Sequence, residues 1–539
     1  MKILEIKNLS KAGLNTDALP WDLPPNYLTD VLNVRLVSNK MLNYHGFTKL
    51  IDLPSGFDPG YIMNVNANVA FWIICGKDDI YKFDGTTFSK ITEAATITAG
   101  GYNVTDPIEW SGCLLTDISV VNHPQSYPQF YNDSLASLYY LPWNNIFNNW
   151  SNEGERCRIM RSHKQFLFAL DLDSSDVNVG NAPDGVRWSA PADIGGVPPS
   201  WDPYDTTNVA GVTSLGGSGG RIIDGLSLRD SFVVYRQDSI SIFDFIDGPL
   251  VWQIRNQSST IGLINEDCLI EVNGIHYFIG RDDIYKNDGN TITALMDDKI
   301  KERFLSDLDV TNFKNSFVVK YDIADEIWFC IPVKTIQSET YSSRAFVYNW
   351  RDETWTIIDL PNNTIRHAAY GSYTTAEDTW NNIQDTWAST ARSWNLTGVN
   401  PVVSTLIGIQ GPNDIAGQPN GAVVVMDSKT GITGFPSKVY VERLGIPLEG
   451  LNNVTTITRV YPRMRGTGIV SVQIGSQDYP GSPVRWKPPV DFSPNFNRKI
   501  DVRTTGELHC FRFESSNVTN STSWELSGLD IEYTNAGQR

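Results

Sequence analysis

Gly76-Lys-Asp-Asp-Ile-Tyr-Lys-Phe-Asp-Gly85 returns 204 positions later as Gly280-Arg-Asp-Asp-Ile-Tyr-Lys-Asn-Asp-Gly289. Each copy follows an apolar run, Phe71-Trp-Ile-Ile-Cys75 in the first and Ile275-His-Tyr-Phe-Ile279 in the second. Each closes on Asp-Gly, a dipeptide that tolerates the positive φ angles of a tight hairpin turn. The stretch therefore reads as strand, polar turn, strand, Asp-Gly turn, strand. A two-residue turn at Asp84-Gly85 would set Tyr81 opposite Phe88 and Asp79 opposite Lys90. The same turn at Asp288-Gly289 would set Tyr285 opposite Ile292. One such meander cannot bury both of its faces. Similar sheets must stack, either radially as propeller blades or face to face as a sandwich, and the repeat alone leaves both open.

Strand signals continue on either side of the two copies. Gln165–Leu170, Ser231–Tyr235 and Ser239–Phe243 are short apolar runs bounded by turn residues. Ser316–Tyr321 is expected to pair with Glu326–Val333, and Ala345–Trp350 with Thr354–Leu360. A short helix is expected over Asn26–Leu32, and the strongest helical spacing lies at Asp297–Leu308. From about residue 401 a second β-rich block begins, and the alternation in Ser471-Val-Gln-Ile474 suggests a sheet with one wet face, hence a sandwich. Trp380, Trp387 and Trp394 fall seven apart in a segment of different character, read as three short turn-like repeats.

The 539 residues suffice for several domains, and 16 Trp, 22 Tyr and 23 Phe beside 7 Met favour β-structure. A net charge of −18 with no basic stripe argues against a sequence-reading nucleic-acid binder. It would suit a surface that DNA can pass without sticking, because phosphate affinity needs Lys and Arg to release counterions. The six cysteines form no Cys-x-x-Cys pair and read as free thiols of a chain made in a reducing cytoplasm. Neither a signal peptide nor a membrane-spanning segment is expected.

No catalytic constellation stands out. The six histidines are scattered singly, without zinc-ligand spacing. The acidic run Asp171, Asp173, Asp176, Asn178 lacks the glycine and distal glutamate of a calcium loop. Gly216–Gly220 has no following Lys-Ser/Thr and is not a phosphate cradle. Asp78-Asp79 and Asp282-Asp283 recur at one place in the repeat, which favours a turn-forming role over a glycosidase carboxylate pair. Neither a cofactor nor a metal is expected.

Taken together the residues resemble the tail nozzle, or tail tubular B, proteins of short-tailed bacteriophages. The likeness runs through Asp22-Leu-Pro-Pro25, Asn33-Val-Arg35 and His45-Gly46. It resumes at Arg187-Trp-Ser189, Trp201-Asp-Pro203, Asn208-Val-Ala-Gly211 and Gly280–Tyr285, then at Val347-Tyr-Asn-Trp350 and the Asp-Thr-Trp repeats. It closes with Gly475-Ser-Gln477, Trp524-Glu-Leu-Ser-Gly528 and Gly537-Gln-Arg539. The resemblance implies an all-β chain with little helix, a β-propeller body and an added β-sandwich-like platform. The expected division is an N-terminal arm (1–50) packing on the platform, the propeller (51–370), a Trp-repeat connecting segment (371–400) and the platform (401–539).

It also implies a structural virion protein without enzyme activity, synthesised in the bacterial cytoplasm and residing in the virion tail. Six copies would ring the tail axis below an adaptor protein, bear tail fibres or spikes, and retain and then conduct double-stranded DNA without reading its sequence. Such a ring uses two different interface patches per subunit. Trp21, Pro24, Pro25, Trp380, Trp387 and Trp394 are the candidate interface residues, because Trp is enriched at interfaces. The competing expectation is a receptor- or glycan-binding tail propeller with depolymerase activity.

Overall fold

The computed structural model describes residues 2–66, 70–145, 148–176, 179–246, 251–334, 340–372, 404–415, 417–428, 432–434, 436, 438–515 and 522–538. Within them, seven four-stranded antiparallel sheets and two six-stranded sheets hold nearly all of the regular structure. The first strands of the seven small sheets are Pro59–Asn66, Ser111–Leu115, Arg156–His163, Ile222–Leu228, Leu269–Val272, Phe317–Tyr321 and His367–Gly371. Each touches the next in chain order, and the last returns to the first. This is a closed seven-bladed propeller, and the sheets are blades 1 to 7 in that order. Apolar clusters sit between adjacent blades, such as Phe71, Ile73 and Val121 between blades 1 and 2. Phe168, Phe232 and Phe243 play the same part between blades 3 and 4.

Both copies of the opening stretch are blade hairpins, but the turn is longer than expected. Phe83 pairs with Phe88 and Tyr81 with Lys90, and likewise Asn287 with Ile292 and Tyr285 with Ala294. The loop is four residues, because the Asp84 carboxylate accepts the backbone N–H groups of Thr86 and Thr87 and closes the turn itself. Asp288 does the same with Asn290 and Thr291. The register moves by two residues, which keeps every side chain on its expected face. Tyr81 and Phe88 still meet edge-on at 6.4 Å, and Lys90 still reaches Asp79 at 2.7 Å. The paired aspartates serve the turns: Asp282 accepts the Tyr285 hydroxyl at 2.7 Å and Asp283 the Met296 N–H at 3.1 Å.

The ring is closed by the start of the chain. Blade 7 runs His367–Gly371, Thr405–Gln410, Ala422–Val425, and its outermost strand is Thr48–Asp52. The expected platform boundary at 401 is thus corrected: the strands at 405–410 and 422–425 complete the propeller. The sandwich is built from strands beginning at Val439, joined by strands of the first 43 residues. One of its sheets orders Val34–Val37, Lys40–Asn43, Ser523–Gln538, Asn453–Thr467 and Ile500–Gly506, with Lys2–Lys7 also pairing to Ser523–Gln538. The other orders Asp30–Leu32, Val439–Pro447, Leu508–Ser515 and Val470–Gln477, which carries Arg485–Trp486 and Val490–Phe492 at its far edge. The helix expected at Asn26–Leu32 is replaced by a strand, because Asp30–Leu32 finds partners at Tyr440–Glu442. Helix does form at Lys301–Asp307.

The sandwich is fixed to blade 6. The outermost strand of that blade, Thr354–Asp359, is almost wholly buried, whereas the equivalent strand of blade 4, Trp252–Ser258, is mostly exposed. Trp355 and Ile357 join Val34, Leu36 and Trp524 in one apolar cluster that crosses from propeller to sandwich. Asn33 sits at the joint, buried and with φ of 57°. Its N–H donates to Ile357 O at 2.8 Å. Its side chain accepts from the Asp359 N–H at 2.8 Å and donates to Lys438 O at 2.6 Å. Asn33→Ala would strand these groups and force a left-handed residue with a Cβ. A loss of about 2–4 kcal/mol is expected in urea unfolding, against little change for Asn290→Ala on an exposed hairpin turn.

Candidate functional site

The propeller axis gathers charged side chains from five blades. Because the first strand of each blade lines the axis, the loop entering it places its residues at the mouth. Asp106 and Glu109 come from the turn before blade 2, Glu266 and Asp267 from the entry to blade 5, and Lys314 from the entry to blade 6. Arg158 on blade 3 and His367 on blade 7 complete the wall of a cavity of about 70 Å³. Arg158 reaches Glu266 and, at 3.3 Å, Glu109. Lys314 bridges to Asp106.

Beneath the cavity the axis is filled. The Arg161 guanidinium donates to both carboxylate oxygens of Asp224 at 2.8 Å, to Asp267 at 3.1 Å and to Gly112 O at 3.0 Å. Tyr61 lies against His367 with 4.6 Å between ring centroids. Burial pushes the Glu266 carboxyl up to about 8 and that of Asp267 to about 6, with Arg158 and Arg161 pulling each back. Burial also holds His367 down at about 3, so the imidazole is neutral and its 3.8 Å approach to Asp267 is not an ion pair.

A carboxyl that keeps its proton near neutrality inside a cavity is the usual mark of an acid catalyst. Here the space argues otherwise. Ligand pockets usually measure roughly 300–1,000 Å³, and Glu109 and Glu266 share one guanidinium. The cluster ties blades 2, 3, 5 and 6 together across the axis and shuts it. Among the described residues no group of three His, Cys, Asp or Glu side chains is arranged to hold a metal. Five of the six thiols are buried, Cys113 is half-buried, and none is in a disulfide.

The expected interface residues are placed as follows. Trp21 is half-buried, and Pro24 and Pro25 are exposed. The arm carrying them is pinned by Arg443, a buried residue whose guanidinium donates to Pro20 O at 2.8 Å and Leu23 O at 2.7 Å. Burial lowers that guanidinium to about 10. Trp380, Trp387 and Trp394 lie outside the described residues. The Arg187-Trp-Ser and Trp201-Asp-Pro stretches converge on a buried aromatic cluster. Trp150 meets Trp143 at 5.2 Å and Trp201 at 4.8 Å, and Arg187 lies over Trp143 at 4.7 Å. Sequence reasoning missed the axial ion pairs altogether, since Arg161, Asp224 and Asp267 carry no motif and meet only when the ring closes.

The chain matches no family model and no curated protein. Solved structures with some similarity include YCF48 bound to D1 peptide, at 11% identity over 60% of this chain and 86% of that one, TM-score 0.33. U3-55K follows at 9% identity over 71% and 98%, TM-score 0.36. An exo-β-1,3-galactanase from Phanerochaete chrysosporium shows 10% identity over 79% and 95%, TM-score 0.26. At these scores the likenesses add nothing to the architecture read from the strand order.

Proposed function

We propose that this chain is a structural subunit of a short bacteriophage tail: a nozzle of six copies that retains the packaged genome and conducts double-stranded DNA outward, without catalysis. The observation that supports this best is where the nozzle-like stretches fall in the fold. Asn33-Val-Arg35 forms the joint between propeller and sandwich. Arg187-Trp-Ser and Trp201-Asp-Pro form the aromatic core beside blade 3. Trp524-Glu-Leu-Ser-Gly528 runs through the sandwich. The likeness therefore concerns architecture, as expected where assembly rather than a reaction is the shared property.

The closed axis bears on the path of the DNA. With Arg161, Asp224 and Tyr61 filling the centre of each propeller, a duplex would run between subunits, past surfaces whose net charge of −18 gives phosphates little to hold. A receptor- or glycan-binding tail propeller with depolymerase activity is the second reading, for which the raised Glu266 carboxyl is a chemical cue and its small, ion-paired cavity the counter-argument.

The two readings part in one experiment. Purified protein, alone and with its adaptor ring, is expected to yield six-fold rings with a central hole in negative-stain micrographs. A particle of about 360 kDa follows from the 60.2 kDa chain. A strictly monomeric protein that releases reducing sugar from host polysaccharide would overturn the proposal.

A further inference from the structure

Charge is divided unevenly between the two bodies. Residues 1–43 and 438–539, which supply the sandwich, carry seventeen Lys and Arg against fourteen Asp and Glu, so the whole of the −18 excess, and slightly more, belongs to the stretch between them. Five basic residues of the sandwich stand at one edge, two of them, Arg485 and Lys499, paired with Asp478 and Asp501. Arg485, Lys487, Arg498, Lys499 and Arg503 fall within 485–503, beside Asp491 and Asp501, and all five are exposed. Among them stand Val490, 41% exposed, and Phe496, 88% exposed.

The sheet order fixes where this edge points. In one sheet the strand touching blade 6 is Asp30–Leu32 and the far edge is Arg485–Trp486 with Val490–Phe492. In the other, Val34–Val37 touches blade 6 and Ile500–Gly506 is the far edge. The loop joining Phe492 to Ile500 crosses between the two far edges. At about 4.8 Å per strand the basic tip stands about 19 Å out from the joint.

A complementary face lies across the propeller. From Asp171 to Asp205 the chain has seven aspartates and a single Lys or Arg, the buried Arg187, although the fold also sets Arg221 on the buried Asp171 and Arg156 across the strand from Asp173. The Tyr204 hydroxyl donates to Asp176 at 2.7 Å and so folds the loop after Trp188 back onto the blade hairpin, which places Asp202 and Asp205, its neighbours in the chain, on the same part of blade 3 as Asp173. Tyr204, 60% exposed, and Val209, 41% exposed, supply apolar surface there. Blade 3 is three steps from blade 6 one way around the ring and four the other, so the acidic stretch and the sandwich with its basic tip sit on opposite sides of the ring.

We infer that the basic tip at 485–503 docks on the acidic end of blade 3 of a second copy of this chain, head to tail. Two different patches on opposed sides of one molecule are what a heterologous contact needs. Their slight departure from diametric opposition curves the array, as a closing ring requires. Opposite charge on the two patches speeds encounter and fixes register, while Phe496 and Tyr204 offer the apolar centre. The inference rests on the ring reading above and names its contact.

Charge exchange tests it. Arg498→Glu/Arg503→Glu and Asp173→Lys/Asp205→Lys are each expected to weaken self-association of the full chain about a hundredfold or more in sedimentation velocity at low salt. Mixing the two variants is expected to restore the wild-type particle, which also shows that both are folded. If wild-type protein forms rings and either variant still does, the contact lies elsewhere and the ring reading stands. If wild-type protein forms none, with or without its adaptor, both fall. If the tip variant instead loses retention of a DNA duplex while sedimenting as wild type, the tip is a phosphate contact and the inference is overturned.

Discussion

Arg35→Met is expected to destabilise the chain by about 3–5 kcal/mol, the cost of leaving buried carboxylates without their counter-charge. The Arg35 guanidinium donates to Glu326 at 2.6 and 3.0 Å and to Asp427 at 2.8 Å. The side chains of these two acids are 1% and 2% exposed. Burial already raises the Glu326 carboxyl, with Arg35 pulling it back, and the Arg35 guanidinium is held well above its usual value by the two acids despite its own burial. The three residues come from the first sandwich strands, from blade 6 and from the end of blade 7, so one side chain fastens three parts of the chain. Urea unfolding of the variant is expected to lose its single transition, the sandwich melting first. Arg35→Met/Glu326→Gln/Asp427→Asn is expected to recover more than half of the loss, because a neutral triad has no ion left to strand. A fully stable single variant would mean that the joint is held by Trp355, Ile357 and their apolar neighbours alone.

The second large effect is acid sensitivity. Burial holds His163, His276 and His509 at about 4 and His367 at about 3. Each is neutral and hydrogen-bonded in the fold: His276 to the Tyr235 hydroxyl, His163 to Ser227, His509 to Thr455, each within 2.9 Å. In the unfolded chain they take up protons near 6.5. Their stabilisation is therefore complete above pH 6.5 and is lost as pH falls toward 4. Glu266 and Asp267 act in the opposite sense. Their native values of about 8 and about 6 mean that the fold keeps protons the unfolded chain releases, so their contribution is greatest below pH 4 and disappears as pH rises through 6 and 8. Near pH 5 the four imidazoles outweigh the two carboxyls by about two protons, and stability is expected to fall by about 2–3 kcal/mol per pH unit. Denaturation midpoints between pH 7 and 4.5 measure this directly. A flat profile over that range would sink it, and His276→Asn is expected to shallow the slope by about one proton.

Much of this molecule is legible along the chain because the signals are local. Alternating apolar residues and Asp-Gly turns specify antiparallel hairpins, and strand after strand falls where period and turn chemistry put it. Even at Asp84 the expected faces hold, since a carboxylate capping its own turn moves the register by two. The paired strands at Ser316–Tyr321 and Ala345–Trp350 needed no knowledge of their surroundings. What the ends of the chain would do was not written locally. Asp30–Leu32 reads as a helix until Tyr440–Glu442 offers it an edge. Thr48–Asp52 looks like part of an arm until Ala422–Val425 needs a fourth strand. The axial ion pairs exist only because seven first strands converge.

By itself, then, the sequence determined an all-β chain of repeated antiparallel hairpins, rich in aromatic core and acidic in balance, because hydrogen bonding between near neighbours and side-chain alternation are set over a few residues. Tertiary structure alone decided that there are seven blades, that the first fifty residues close the ring and build half of the sandwich's joint, and that the sandwich is carried on blade 6, across the ring from blade 3. Those choices depend on contacts between residues hundreds of positions apart, whose burial is favourable only once the whole ring has formed.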